Sequence, residues 1–163
     1  MEGLQIRHAT LEDLDEISAL EAACFPPAEA ATREAFRERL RIYPTHFLLA
    51  EVGGKIASAV NGLATDERDL RDEMFENAAL HDPLGRWQML FGVATLPEFR
   101  RRGLAGTLVK KLAEQAKLEG RSGVVLTCKP GKASFYAGLG FKSEGVSGSG
   151  HGGAVWLQMR LTF

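Results

Sequence analysis

Between Val93 and Thr107 an apolar run passes into a short basic loop, then into an amphipathic stretch that opens with small residues: Val93-Ala94-Thr95-Leu96-Pro97-Glu98-Phe99-Arg100-Arg101-Arg102-Gly103-Leu104-Ala105-Gly106-Thr107. This order of residue types suits holding an anion through the backbone. The first turn of a helix carries N–H groups without partners inside the helix, and its dipole favours negative charge. Gly103, Ala105 and Gly106 leave room for a bulky pyrophosphate, while Arg100, Arg101 and Arg102 add positive field. Arginines crowded at a positive helix end repel it unless an anion comes between, which disfavours a plain surface helix. Two better-known phosphate loops are excluded: GxxxxGK[ST] is absent, and GxGxxG is not matched by Gly103-Leu104-Ala105-Gly106.

The surrounding pattern supplies the elements that must position this cradle. Trp87 to Thr95 is an apolar run of the kind that fills a buried central strand. From about Gly103 to Glu119, Leu104, Leu108, Leu112 and Ala116 recur at every fourth position, and Gly120 is placed as a C-terminal cap. Upstream, Leu4 to His8 alternates as a short strand. Thr10-Leu11-Glu12-Asp13 reads as a capping box opening a helix through about Ala23, with Leu11, Leu14, Ile17, Leu20 and Ala23 on its apolar face. Pro26-Pro27 closes that segment, and Thr32 caps a second helix to about Arg41. Phe47 to Val52 and Lys55 to Leu63 are strands joined at Gly53-Gly54. Thr65 to Leu84 is a charged, partly helical excursion. Gly123 to Cys128 is a strand, Lys132 to Leu139 a short helix, and Phe141 to Val146 with Ala154 to Leu161 a closing pair. The order β-α-α-β-β-β-α-β-α-β-β predicts one α/β (α+β) domain over residues 1–163. Its centre is a mixed sheet of about seven strands with helices on both faces.

Composition narrows the function classes. The 163 residues are 45% hydrophobic and 25% charged, which excludes a disordered chain. Lys and Arg number 20 against 21 Asp and Glu, so the net charge of −1 gives no ground for nucleic-acid or membrane-surface binding. Arg100, Arg101 and Arg102 have no further basic stripe or stacking aromatics beside them. No run approaches the roughly 20 apolar residues of a membrane helix. Met1 to Arg7 lacks the basic and apolar regions of a signal peptide. Cys24 and Cys128 stand far apart with no CxxC, so neither a disulfide framework nor a metal site is expected, and a cytoplasmic location fits.

Arg100-x-x-Gly103-x-Ala105 resembles the Q/R-x-x-G-x-G/A acyl-CoA loop of the GNAT N-acetyltransferase superfamily. Ser134-Phe135-Tyr136-Ala137-Gly138-Leu139-Gly140-Phe141 is similar to its second signature, FY-x-x-x-GF, in the expected element order. A narrower similarity, to the arylalkylamine (serotonin-type) N-acetyltransferases, rests on Cys24-Phe25-Pro26, the charged excursion and Phe99-Arg100. The resemblance implies a GNAT-like domain, acetyl-CoA as co-substrate, no metal, and direct transfer of acetyl to an amine in a ternary complex. It places the pantetheine arm along Val93, Ala94 and Thr95. The pyrophosphate falls to the amides of Arg101, Arg102, Gly103, Leu104, Ala105 and Gly106, with Arg100, Thr107 and Phe135 close by. A bulge around Phe91 to Val93 would aim an N–H at the acetyl oxygen.

Tyr136 matches the family's leaving-group tyrosine, a phenol with pKa about 10 able to protonate a departing thiolate. Its other role would be to pack and hydrogen-bond the sulfur. The base departs from the pattern. The two strand histidines of vertebrate-type arylalkylamine members correspond here to Met89 and Phe91, neither of which titrates. Glu29, after Pro26-Pro27, is the first substitute and His81, in the excursion with Glu73 and Glu76, the second; both also read as solvated surface residues. His151, in Ser147-Gly148-Ser149-Gly150-His151-Gly152-Gly153, reads as a lid over the amine or as a surface turn. His8 and His46 read as surface or structural histidines, Cys128 as core or channel lining, and Cys24 as core.

For the acceptor, the acidic excursion could draw a cationic amine, and Trp87, Phe25, Phe75 and Phe91 could wall an arylalkyl group. A small arylalkylamine or polyamine is the first expectation, and a protein N-terminus or lysine the enzymatic alternative. A non-catalytic acyl-CoA-binding module is the alternative from another class. Oligomeric state is left open between monomer and homodimer.

Overall fold

The computed structural model describes residues 2–163. The chain opens with β1 (Leu4–His8), then one 3-10 turn (Leu11–Asp13) that runs into α1 (Leu14–Cys24). The Asp13 carboxylate accepts the Thr10 N–H at 2.8 Å, so the predicted capping signal is used. Thr32 caps α2 (Arg33–Ile42), its hydroxyl accepting the Ala35 N–H at 3.1 Å. The hairpin of β2 (Phe47–Val52) and β3 (Lys55–Asn61) turns on Gly53 and Gly54. Their φ values of 59° and 82° are the paired positive angles that glycine supplies without strain. After β4 (Ala64–Thr65) the excursion carries one short α-helix, α3 (Glu73–Glu76), and a 3-10 turn (Ala78–Leu80). Then come β5 (Trp87–Leu90), β6 (Gly92–Thr95), α4 (Leu104–Leu118), β7 (Gly123–Cys128), α5 (Ala133–Ala137), β8 (Lys142–Val146) and β9 (Leu157–Thr162).

The predicted single sheet is two sheets, of four and five strands: β1-β2-β3-β6 and β4-β5-β7-β9-β8. All pairs are antiparallel except β5 with β7. The division falls inside the Trp87 to Thr95 run, which was expected to be one strand. Met89 and Phe91 donate their N–H groups to the carbonyls of Leu63 and Asn61, each at 2.8 Å. From Gly92 onward the register has moved by one residue, with Gly92 itself opposite Asn61. Phe91 and Gly92 thus face one partner residue, which is a β-bulge. Beyond it β6 follows β3, while β5 stays with β7, so β6 and β7 part.

Alternation sorts the strand residues between two layers. Leu48, Ala50 and Val60 pack with Leu104, Leu108 and Leu112 of α4, while Phe47, Leu49 and Ala59 pack with Ile17 and Leu20 of α1 and Phe36 of α2. A third cluster of Tyr43, Leu63, Met74, Met89 and Val125 lies under the excursion. Among the described residues, no helix is long and apolar enough to cross a membrane.

Candidate active site

One wall of the site is made of backbone. β6 has β3 on one side and ends its sheet on the other. Leu96 donates to the Ala57 carbonyl at 2.9 Å, and bonded pairs alternate along an antiparallel ladder. The main-chain groups of Val93 and Thr95 therefore point away from β3, toward the gap before β7. Ala94 is buried in the α1 cluster and contributes packing. The Thr95 carbonyl accepts from Arg100 Nε at 3.1 Å and from the Cys24 thiol at 3.2 Å, which ties the basic loop to the strand.

The loop then turns into α4 through two left-handed residues, Arg101 (φ 62°) and Gly103 (φ 79°). A non-glycine residue at positive φ is strained, and such alternation turns successive N–H groups into an anion-binding concavity. The first intrahelical bond of α4 runs from the Thr107 N–H to the Gly103 carbonyl at 3.0 Å, leaving the amides of Leu104, Ala105 and Gly106 free. The Thr107 hydroxyl also donates to Gly103, at 2.9 Å. A Cβ at Gly103 would meet nothing within 4 Å, and one at Gly106 only Leu139 Cδ2 at 3.8 Å. The space over the helix start is open. Arg101 is exposed, and Arg102 lies over the Phe99 ring at 5.4 Å. These residues fit a diphosphate joined to an extended arm that lies along β6.

Tyr136 packs in the same cluster as Leu104, Cys128 and Met159, below the start of α4. Its ring meets Phe135 and Phe141 edge-on at 5.0 and 5.9 Å. Burial raises its phenol well above the usual value, and the neighbouring Cys128 thiol adds to the rise. Tyr136 is thus a neutral O–H that holds its proton more tightly than a free tyrosine. The Cys128 thiol, itself pushed up by burial, donates to Met159 Sδ at 3.5 Å and belongs to the core.

The other wall is made of side chains from distant segments. Arg39 of α2 is 3% exposed and donates to Asn61 Oδ1 at 3.0 Å and the Phe75 carbonyl at 2.7 Å. Its guanidinium lies 5.0 Å from the Phe91 ring centroid, which fixes the bulge residue from behind. Phe75 lies against Phe91 at 4.6 Å, and His151 stacks on Phe75 at 5.2 Å and 9°. Trp156 follows at 5.9 Å from His151 and donates its indole N–H to the His151 carbonyl. The glycine-rich loop is bound down as a cover. Asp72 accepts from the Ser149 hydroxyl and the Gly150 N–H, while His151 Nε2 donates to the Glu29 carbonyl at 2.9 Å.

Several expectations need correction. His81 lies between Tyr43 and His46, at 5.0 and 4.7 Å, and its Nδ1 accepts the Ala64 N–H at 3.0 Å. Burial pushes it down to about 4, with Arg121 beyond the far end of α4 among its neighbours. Its ring is packed between those two aromatic rings and its Nδ1 is already taken as an acceptor. Glu29 does sit at the cover, where its carboxylate is paired with Lys129 at 2.8 Å. Trp87 is covered by Arg160 at 4.5 Å and Phe25 packs with the α1 core, so His151 and Trp156 take their places in the aromatic wall. Several acids of the excursion are paired: Asp69 with Arg160 of β9, Glu67 and Glu73 with Arg71, while Asp66 and Asp82 accept backbone N–H groups. Sequence reasoning missed Arg39 and Glu21. Each sits on the apolar stripe of its helix, Arg39 between Phe36 and Tyr43 and Glu21 after Leu14 and Ile17, and a charge at a core position was the available signal.

Comparison with known proteins agrees with this geometry. The Acetyltransferase (GNAT) family profile matches residues 14–141. The uncharacterized N-acetyltransferase YkwB of Bacillus subtilis is 23% identical over 124 residues, covering 69% of this chain; the match spans 55% of YkwB, about half its length. The loading GNATL domain of CurA from Lyngbya majuscula superposes with a TM-score of 0.84 at 19% identity, covering 98% of this chain and 97% of that one. The GphF GNAT-like decarboxylase in complex with isobutyryl-CoA gives 0.83 at 23% identity, covering 97% and 98%. At these identities the structural likeness is one of fold. The profile match takes in the bulge, the basic loop, α4 and Tyr136, and the chain belongs to the GNAT acetyltransferase family.

Proposed function

We propose that the protein is an acetyl-CoA-dependent N-acetyltransferase that transfers acetyl directly to a primary amine, with small arylalkylamines as the first acceptor class. The reading is carried by one juxtaposition: Val93 on the outer edge of β6, Leu104 at the open first turn of α4 and the buried Tyr136 pack in one cluster. Val93 and Thr95 hold the pantetheine arm, and the amides of Gly103 to Gly106 hold the diphosphate, with Arg100 shaping the loop. Acetyl-CoA supplies an activated thioester. Tyr136 gives its proton to the sulfur as the C–S bond breaks. The wall of Phe91, Phe75, His151 and Trp156 supports an aromatic acceptor, and the Asp72-bound cover excludes water from it.

The test is thiol release from acetyl-CoA with phenylethylamine, spermidine and a peptide with a free N-terminus and a lysine, alongside calorimetry of coenzyme binding. Turnover with phenylethylamine supports the reading, and turnover with the peptide alone replaces it by a protein acetyltransferase. Heat of binding without thiol release for any amine makes the protein a binding module.

A second reading follows from the apolar character of the same wall. The apolar side chains of Met89 and Phe91 would destabilise a carboxylate placed against them, and GphF is a GNAT-like decarboxylase. Formation of acetyl-CoA and carbon dioxide from malonyl-CoA, with no amine present, would favour it. A buried Glu21 beside the bulge repels such a substrate, which is why amine transfer is preferred.

A further inference from the structure

Glu21 lies on α1 with only 8% of its surface exposed, and its side chain reaches the bulge that divides the two sheets. Its Oε2 accepts the Ala31 N–H at 2.9 Å. Its Oε1 lies 3.8 Å from where a Cβ would stand on Gly92, and Asn61 Nδ2 lies 3.6 Å from the same point. Arg39, by donating to Asn61 Oδ1, turns the amide so that its NH2 faces Gly92. Glu21, Asn61 and Gly92 line a cavity of about 10 Å³, with Ile17, Leu20 and Phe47 around it. That is about the room one water needs, in a site with polar atoms able to hold it. The carboxylate is therefore fixed by one bond and open on its other oxygen, toward the strand break next to which Val93 presents its free backbone.

We propose that Glu21 is the proton acceptor for the amine, filling the role that Met89 and Phe91 cannot. This rests on the acetyl-transfer reading. The Glu21 carboxylate takes one proton from the bound ammonium. The freed lone pair forms the new C–N bond, and the C–S bond breaks with its electrons left on sulfur. Tyr136 passes its proton to that sulfur. The nitrogen's second surplus proton restores the phenol, and Glu21 releases its own to solvent, so one proton is lost per acetyl moved.

The surroundings set the direction of its titration. From α2 comes Arg39, from the cover His151, and from β3 the neutral Asn61. Burial raises the Glu21 carboxyl, while the Ala31 N–H, the Arg39 guanidinium and the nearby His151 oppose the rise. Burial is the largest influence, so the group is a stronger base than a solvent-exposed glutamate. Raised affinity for the proton also means that the ionised form costs stability. That cost is absent below the unfolded carboxylate range, near pH 4.5, and grows as pH rises through the folded value.

The experiment uses Glu21→Gln, whose side-chain oxygen still accepts from Ala31. Thiol release from acetyl-CoA with phenylethylamine is followed as a function of pH. The expected loss in kcat/KM at pH 7 is about 100-fold. It should shrink steadily toward the amine's own pKa, where free amine no longer needs a base. Thermal melting is read on the same samples: the variant should melt above the parent at pH 8 and level with it near pH 4. A Glu21→Gln enzyme with the parent's rate and pH profile overturns the assignment, as does a deficit that is equal at every pH. No thiol release by the parent with phenylethylamine overturns the arylalkylamine reading itself, and this assignment with it.

Discussion

The two halves of the cleft are built in opposite ways. The coenzyme half is backbone: an unpaired strand edge and the first amides of one helix, adjacent in the chain from Val93 to Thr107. The half proposed for the acceptor is side chains gathered from α1, α2, the excursion and the glycine-rich loop, joined by Arg39, Asp72 and His151. A backbone site tolerates many side chains but demands particular dihedral angles. A side-chain site tolerates varied backbone but demands particular residues. The first kind suits a constant ligand, and the second can be retuned to another acceptor without disturbing the helix or the strand.

That contrast is open to direct attack. The largest effect is expected from Gly103→Val, because a β-branched residue at φ 79° must move the turn that aims the first amides of α4. Coenzyme affinity measured by calorimetry should fall by roughly two orders of magnitude, corresponding to about 3 kcal/mol. Circular dichroism should remain that of a folded chain. Unchanged affinity would mean that the coenzyme does not depend on this turn.

Tyr136→Phe comes next. It removes one oxygen from a packed ring, so kcat should drop about 100-fold while KM for both substrates holds. A change in KM alone would reduce Tyr136 to a packing residue.

Gly92→Ala separates the halves at their seam. The new methyl meets Asn61 and Glu21 at ordinary contact distance and no positive φ is involved, so the protein should fold and bind coenzyme normally. It stands between Glu21 and Asn61, and turnover should fall about tenfold as approach to the carboxylate is blocked. Full activity would show that the acceptor does not come this way.

The smallest effect belongs to His81→Gln, which lies in neither half. Burial holds the parent imidazole at about 4, below its ordinary 6.5, so the unfolded chain binds the proton first. Stability contributed by the neutral ring is present above pH 6.5 and is lost as pH falls toward 4. After solvent screening this amounts to about 1 kcal/mol. Melting curves across that range should be flatter in the variant, with turnover at pH 8 unaltered. A loss of turnover would return His81 to the site.

Much of the fold could be read along the chain. α4 runs from Leu104 to Leu118 within a residue of the predicted span, because a spacing of four leucines and alanines buries one face of a helix whatever it packs against. β7 matches Gly123 to Cys128, and the Gly53-Gly54 hairpin turns where expected. The bulge could not be placed in register this way. Phe91 and Gly92 continue an apolar run without interruption, and only pairing with Asn61 shows two residues facing one.

Local order was therefore determined by the sequence itself: where helices begin and end, where glycines must turn, and which loop presents free amides to an anion. Those features depend on neighbours a few residues apart, whose mutual geometry is nearly fixed by the peptide backbone. The tertiary structure alone decided which charges meet. Glu29 with Lys129, Asp72 with Ser149 and Glu21 opposite Gly92 are separated by 71 residues or more, counting 92 − 21 for the last. The protonation behaviour of a carboxylate follows from the solvent and charges around it, and these are set only when distant segments close over it.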